Sequence, residues 1–306
     1  MYRGFDQVDG GARENVTTTD LAAEFTRQRP RLRAIAYRIL GSHHDAEDAV
    51  QESWLRLQQA DAGAIENLEA WLTVVVSRLS LDQVRSAASK HEDLDADLPA
   101  GSGDTGVEDE AVAADEVGAA MLVVLDALGP LERLAFVLHD IFGLSFERIA
   151  PIVERTPTAA RQLASRARRR VREVDVEAER SRQREAVEAF LRASREGDFG
   201  TLLRLLDPEV ELRADAEVVA AAAPYAEHGA PLLTTRARGA DAVARVFAGR
   251  ARETRWAEVD GLVGAAYAPD GTVQALYSVR IRNGRITRID VMGATDVLAD
   301  IPVTLH

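Results

Sequence analysis

Residues 129–172 read GPLERLAFVLHDIFGLSFERIAPIVERTPTAARQLASRARRRVR, and this stretch decides the fold of the middle of the chain. Gly129-Pro130 opens a helix, because proline has its φ already set for a first turn and lacks only an N–H that would go unbonded there. Leu131, Leu134, Ala135, Leu138, Ile141 and Phe142 give that helix an apolar face at helical spacing, and Gly143 ends it. Ser145 caps a short second helix that turns Phe146, Ile149, Ala150 and Val153 inward. Thr156-Pro157 repeats the cap-and-proline signal for a third helix, which buries Ala160, Leu163, Ala164, Ala167 and Val171. A short helix, a tight turn and an arginine-rich helix together make a helix-turn-helix.

Upstream, residues 18–86 form a second all-helical unit. Thr17 to Asp20 offer caps before Leu21, Phe25, Leu32, Ile35, Ala36 and Ile39, which recur at helical spacing. Gly41 stops that helix, and Ser42 and Asp45 are caps for the next, whose buried stripe is Ala46, Val50, Trp54 and Leu57. A third helix carries Trp71, Leu72, Val75, Leu79 and Leu81. Residues 1–17 are polar, without periodicity, and read as a disordered tail. Residues 87–117, with Pro99, Gly101, Gly103 and Gly106 among many acids, read as a linker. Helices resume at 118 and continue to 174.

Downstream, residues 175–306 change character. Two helices broken at Gly197-Asp198 lead into a strand at DPEVELRAD, and Ala240–Ala251 is another helix. The stretch from Ala257 to Gly293 then predicts three alternating strands, with hairpin turns at Asp270-Gly271 and Asn283-Gly284. Helices followed by a meander predict an α+β domain with a curved antiparallel sheet. The chain is thus read as multidomain: two all-α units, 18–86 and 118–174, and an α+β cone over 175–306.

The 306 residues suit two or three domains. No apolar run approaches the roughly 18 residues of a membrane span. The N-terminus has no secretory pattern, so the cytoplasm is the expected compartment. With no cysteine, disulfides and thiol chemistry are excluded. His43 and His44 lie at a turn with no further histidine near them in sequence, so neither a metal site nor a cofactor is expected.

The net charge of −13 argues against a nucleic-acid partner only until its distribution is read. Residues 92–117 hold ten acids and no base, and without them the balance is −3. Residues 155–172 hold seven arginines and no acid. At physiological salt the Debye length is roughly 8 Å, so the arginine cluster acts independently of distant acids. Its exposed face comprises Arg161, Gln162, Ser165, Arg166, Arg168, Arg169 and Arg172. Arginine and glutamine make bidentate contacts to guanine and adenine edges in the major groove, and the later arginines suit phosphates. In the first unit, a helix with Trp71, Arg78 and Arg85 has the composition to grip phosphates and stack unpaired bases.

GSHHDAEDAVQESWLRL, then AWLTVVVSRLSLDQVRS, resembles region 2 of bacterial sigma factors of the extracytoplasmic-function type. Residues 128–172 resemble region 4 of the same family, in the right order and after an acidic linker. The resemblance implies that Asp45, Glu47, Asp48, Gln51 and Trp54 form the docking surface for the β′ subunit of core RNA polymerase. It implies that Asn67, Trp71, Arg78, Asp82 and Arg85 open and read the −10 element. It implies that Thr158, Arg161, Gln162, Ser165, Arg166, Arg168 and Arg169 read the −35 element. Core polymerase, through its β′ and β subunits, and promoter DNA are the partners it implies, with no membrane. The linker would run through the polymerase toward the RNA exit path. Residues 180–300 resemble the SnoaL-like domain, of the nuclear transport factor 2 cone fold. In a subgroup of these sigma factors such an extension regulates activity in cis, and a small-molecule or protein ligand of that domain is a further expected partner. The subgroup's linker motif is reduced here to DLPAG at 97–101, and its glycine run after the first strand is replaced by ADAEVVAAAAPYAEHGAPL.

Two other readings compete. A fused isomerase or cyclase would need a carboxylate facing an oxyanion donor inside the cone. Asp215, Asp260 and Asp290 are the candidate bases, with Tyr267 or Tyr277 as donor. A ligand-responsive helix-turn-helix regulator would explain residues 118–306 and leave 18–86 unused. Neither accounts for both helical motifs, so a non-enzymatic initiation factor is the expectation.

Overall fold

The structure is a computed structural model that describes residues 18–90 and 118–306. The expectation placed on the N-terminal tail, and that on the linker at 87–117 from residue 91 onward, lie outside the described residues. The described residues divide into two compact units, 18–90 and 118–306.

The first unit packs three helices, α1 (Thr18–Leu40), α2 (His43–Gln59) and α3 (Leu68–Lys90). α1 stops at Gly41, and the Ser42 hydroxyl accepts from the Asp45 N–H to start α2. Asn67 starts α3 in the same way, its Oδ1 accepting from the Ala70 N–H at 2.8 Å. α3 runs to Lys90, four residues past its expected end. Leu32, Ile35 and Ile39 of α1, Val50 and Leu57 of α2, and Leu72 and Val76 of α3 are buried between them. Each such side chain contributes roughly 1.5–3 kcal/mol by leaving water.

The second unit begins with α4 (Gly118–Asp126), α5 (Pro130–Phe136), α6 (Phe146–Val153) and α7 (Pro157–Glu173). α5 continues into one π-helical turn, Val137–Ile141. Val174 and Asp175 alone separate α7 from α8 (Val176–Glu196), which is followed by α9 (Phe199–Leu205). Then come β1 (Leu206–Ala214), α10 (Ala216–Ala222), β2 (Arg236–Arg238) and α11 (Ala240–Phe247). The chain finishes with β3 (Thr254–Val259), β4 (Leu262–Tyr267), β5 (Ala275–Arg282), β6 (Arg285–Met292), α12 (Thr295–Asp300) and β7 (Val303–Leu305).

The seven strands form one sheet in the order β2-β1-β6-β5-β4-β3-β7. One face meets α8, α9 and α11 around Val187, Phe190, Leu202, Phe247, Tyr277 and Ile289. The other face buries a smaller cluster of Ala257, Val259, Ala266, Leu276, Met292 and Ile301, against which Val297 and Leu298 of α12 pack. A helix layer on a curved sheet agrees with the expected α+β cone, and bulges in the β5–β6 and β1–β6 pairings supply bends.

Four details differ from the sequence reading. The sheet is mixed, since β1 pairs with β6 in parallel while every other pairing is antiparallel. The expected three-stranded meander has four strands, because Asp260 and Gly261 make a further hairpin turn with φ of 50° and 70°. That geometry needs two left-handed residues, and Asp-Gly supplies them at low cost. The helix expected to reach Ala251 ends at Phe247, where Gly249 and Arg250 instead donate N–H bonds to Ser194 O. Finally, the stretch after β1, to which the sequence reading gave no element, folds as α10 and a 3₁₀ turn, Ala223–His228.

Candidate nucleic-acid interface

α7 is positioned by its own start. Thr156 Oγ1 accepts from the Ala159 N–H at 3.2 Å, and Pro157 fills the first turn. The turn before it is tight because Glu154, capping α6, takes a left-handed φ of 56°. Ala160, Leu163, Ala164 and Ala167 are buried, against α5 and α6. Thr158, Arg161, Gln162, Ser165, Arg169 and Arg172 are exposed, at spacings of three and four that keep them on one stripe. Arg161 also lies over the Phe146 ring, 5.0 Å from its centre.

Three arginines of α7 are held by acids from the elements behind it. Arg168 Nε donates to Asp140 Oδ1 at 2.6 Å, with side-chain exposures of only 13% and 2%. Asp140 comes from the π-helical turn, whose extra residue per turn re-aims the side chains that follow. Glu132 of α5 accepts from Arg170 Nη1 at 2.5 Å, and its other oxygen lies 3.4 Å from Arg166 Nε. Of the seven residues expected to face DNA, Thr158, Arg161, Gln162, Ser165 and Arg169 therefore share the exposed stripe. Arg166 lies at its flank, and Arg168 points into the unit. Arg172 extends the stripe by one turn.

On the first unit, Trp71, Arg78, Asp82 and Arg85 recur at seven, four and three residues and so share one face of α3. Arg78 and Asp82 are exposed, Trp71 and Arg85 are half-buried, and exposed Asn67 caps the helix. The acidic start of α2 is less uniform. Asp48 and Gln51 are exposed, whereas Glu47 pairs with Arg29, Asp45 is buried, and Trp54 packs on Phe25 at 4.9 Å between ring centres. Leu55, 49% exposed, stands in line with Asp48 and Gln51. The sequence held that signal: Leu55 lies nine positions after Ala46, half a revolution from the buried stripe.

Among the described residues, the carboxylates that the isomerase alternative needs lie away from the cavity of the cone. The cavity lined by Val187, Phe190, Phe247, Thr254 and Tyr277 is about 10 Å³, room for about one water at most. Asp215 caps α10 and accepts from the N–H groups of Val218, Gly293 and Ala294. Asp260 sits in the β3–β4 turn, and Asp290 bonds Arg288 at 2.8 Å. None of these carboxylates lines the cavity. Burial pushes the Tyr277 hydroxyl up to about 12, and Tyr277 bonds Thr254.

Comparison with known proteins decides the family. Residues 25–90 match the model of Sigma-70 region 2, and residues 119–171 match that of Sigma-70, region 4. The probable ECF RNA polymerase sigma factor SigI of Mycobacterium tuberculosis is 39% identical over 203 residues, 64% of this chain and 70% of that one. This chain belongs to the ECF RNA polymerase sigma factor family. It is a non-enzymatic transcription initiation factor, a class that binds core RNA polymerase and promoter DNA. The sigma factor SigJ of the same organism is 37% identical over 236 residues, 74% of this chain and 72% of that one. That length exceeds the residues preceding α8, so the likeness runs into the C-terminal domain of this sigma factor. The crystal structure of SigJ aligns with a TM-score of 0.40 at 30% identity, over 91% of this chain and 98% of that one. Among the described residues, no helix is long and apolar enough to cross a membrane.

Proposed function

We propose that this sigma factor divides promoter recognition between α3 and α7 and docks on polymerase through α2, in the cytoplasm where polymerase works. The observation that carries the division is the exposed stripe of α7 from Thr158 to Arg172, which is polar along its length and follows a tight turn. Arg161 and Gln162, near the N-terminal end of α7, would meet base edges of the −35 element, and Arg169 and Arg172 would meet phosphates. The stripe of Trp71, Arg78 and Arg85 would hold the opened −10 strand. Asp48, Gln51 and Leu55 would meet the β′ subunit, and region 4 the β subunit. The C-terminal domain, with its cone filled, would act on transcription in cis by contact with region 4.

Promoter-dependent transcription with core polymerase tests the reading. The wild-type chain should start transcripts at a matched promoter. Arg161→Ala should lose −35-dependent initiation while keeping core binding. Leu55→Asp, an exposed change that leaves the bundle core intact, should lose core binding while keeping affinity for the −35 duplex. If the wild-type chain binds duplex and never binds core, the polymerase-docking role is wrong.

A further inference from the structure

α4 has the sequence Gly-Ala-Ala-Met-Leu-Val-Val-Leu-Asp, with no charge before its final Asp126. Met121, Leu122, Val123, Val124 and Leu125 are all buried. Five consecutive residues cover every direction around a helix axis, so α4 is enclosed on all sides, as an all-apolar helix must be. Its most extensive neighbours are α8 and β4, both elements of the C-terminal domain. Yet the region 4 match begins at residue 119, so by sequence this helix is the first of region 4.

The end of α4 is fixed by charge. Asp126 Oδ1 accepts from Arg133 Nη2 at 2.8 Å, and Arg133, on α5, is 3% exposed. Arg280 and Arg282 of β5 bring two more positive charges to the same carboxylate. Burial pushes the Asp126 carboxyl up, but Arg133, Arg280 and Arg282 outweigh it and hold it below the ordinary carboxylate value. Burial lowers Arg133 and Arg282 in turn. Arg133 therefore bonds this carboxylate directly, and Arg280 and Arg282 act on it through charge. Arg180 of α8 bonds Glu258 at 2.8 Å and Gly261 O at 3.2 Å, which fixes α8 to the β3–β4 hairpin.

We propose that α4 is the element through which the C-terminal domain governs region 4: a region 4 helix by sequence, it is captured by α8 and β4, and so ties the helix-turn-helix to the sheet. This rests on control in cis and names its contact. A region 4 stripped of the sheet domain would expose α4, so the C-terminal domain is a structural partner of the −35 reader as well as its neighbour in sequence.

The test uses the full chain. Hydrogen exchange at residues 121–126, −35 duplex affinity and promoter transcription are compared among four proteins: wild type, Arg280→Ala/Arg282→Ala, Asp126→Asn and Arg236→Ala/Arg238→Ala. The last removes the same charge from β2, at the far edge of the sheet. The first double variant and Asp126→Asn should each speed exchange in α4 at least tenfold and weaken duplex binding several-fold, although neither alters the exposed α7 stripe. Asp126→Asn leaves the sheet untouched, so agreement between the two excludes a misfolded β5 as the cause. Unchanged α4 exchange, or an equal rise in the β2 control, overturns the capture. Faster α4 exchange with wild-type transcription overturns control in cis and leaves the capture standing.

Discussion

α3 and α7 each turn a polar stripe to solvent, and they build it in opposite ways. On α7 the acids stand behind the helix: Asp140 and Glu132 engage Arg168, Arg166 and Arg170 from the protein side, and the stripe itself holds no acid. On α3 the acid is in the stripe, with Asp82 four residues after Arg78 and three before Arg85, and an aromatic heads the row. The first arrangement suits a rigid duplex, where many phosphates lie at fixed positions. The second carries little net charge and offers a ring face, which suits unpaired bases. Basic charge alone therefore does not locate a DNA reader. Where the countercharge sits does.

The largest break in that contrast should come from Asp140→Ala. Removing one partner of a buried ion pair leaves the other charge unpaired, at a cost of roughly 3–5 kcal/mol. Thermal unfolding should show a loss of that order, with −35 binding lost alongside it. Asp140→Ala/Arg168→Met should recover most of the stability. A cost below roughly 1 kcal/mol, typical of a surface pair, would make Arg168 a solvated side chain.

Next in size is the stacking difference. Trp71→Ala should weaken binding to a promoter fork with an unpaired −10 strand by roughly 1–3 kcal/mol, with Trp71→Phe retaining most of it. Neither should change affinity for a closed −35 duplex. Equal losses on fork and duplex would make Trp71 a core residue of the three-helix unit.

Arg169→Ala sharpens the comparison by salt. Four or five neutralised phosphates give log K a slope of roughly −4 against log salt, and the variant should flatten it by about 1. The matching change on α3, Arg78→Ala, should leave the −35 duplex slope unchanged.

How much of this was legible in the sequence follows from the range of the forces. Caps, prolines and apolar spacing are local, so all three helices of the first unit, and α5 to α9, could be read from letters. The turns at Asp270-Gly271 and Asn283-Gly284 were equally local. Asp260-Gly261 escaped because its strands lack alternation: Val263 to Ala266 are buried on both faces of the sheet. The β1–β6 pairing joins residues more than seventy positions apart, which no window reaches. The site was legible as a set of residue types, but not as a division of labour. Arg168 and Arg169 are adjacent letters, and only a partner 28 residues away separates an inward arginine from an outward one. Leu55 was legible only from its helical phase, half a revolution from the buried stripe, because leucine as a letter marks a core position.

The smallest effect should be one of pH. The Asp126 carboxyl is held below 3.8, so it contributes stability above that ordinary value and loses it as pH falls through the lower folded value. As pH falls below that ordinary value, the protection of α4, taken relative to the intrinsic exchange rate at each pH, should fall in the wild type. In Asp126→Asn it should fall less over the same window, because the contribution is already gone at neutral pH.

The filled cone has a consequence for chemical signalling. Ligand pockets commonly enclose roughly 300–1,000 Å³, while the cavity between α8, α11 and the sheet holds about 10 Å³. A metabolite could enter only by parting Phe190, Phe247 and Tyr277, whose rings meet edge to face. It would have to wedge open a close-packed interior of low compressibility, and its binding energy would be spent on dilation before any was left to carry information.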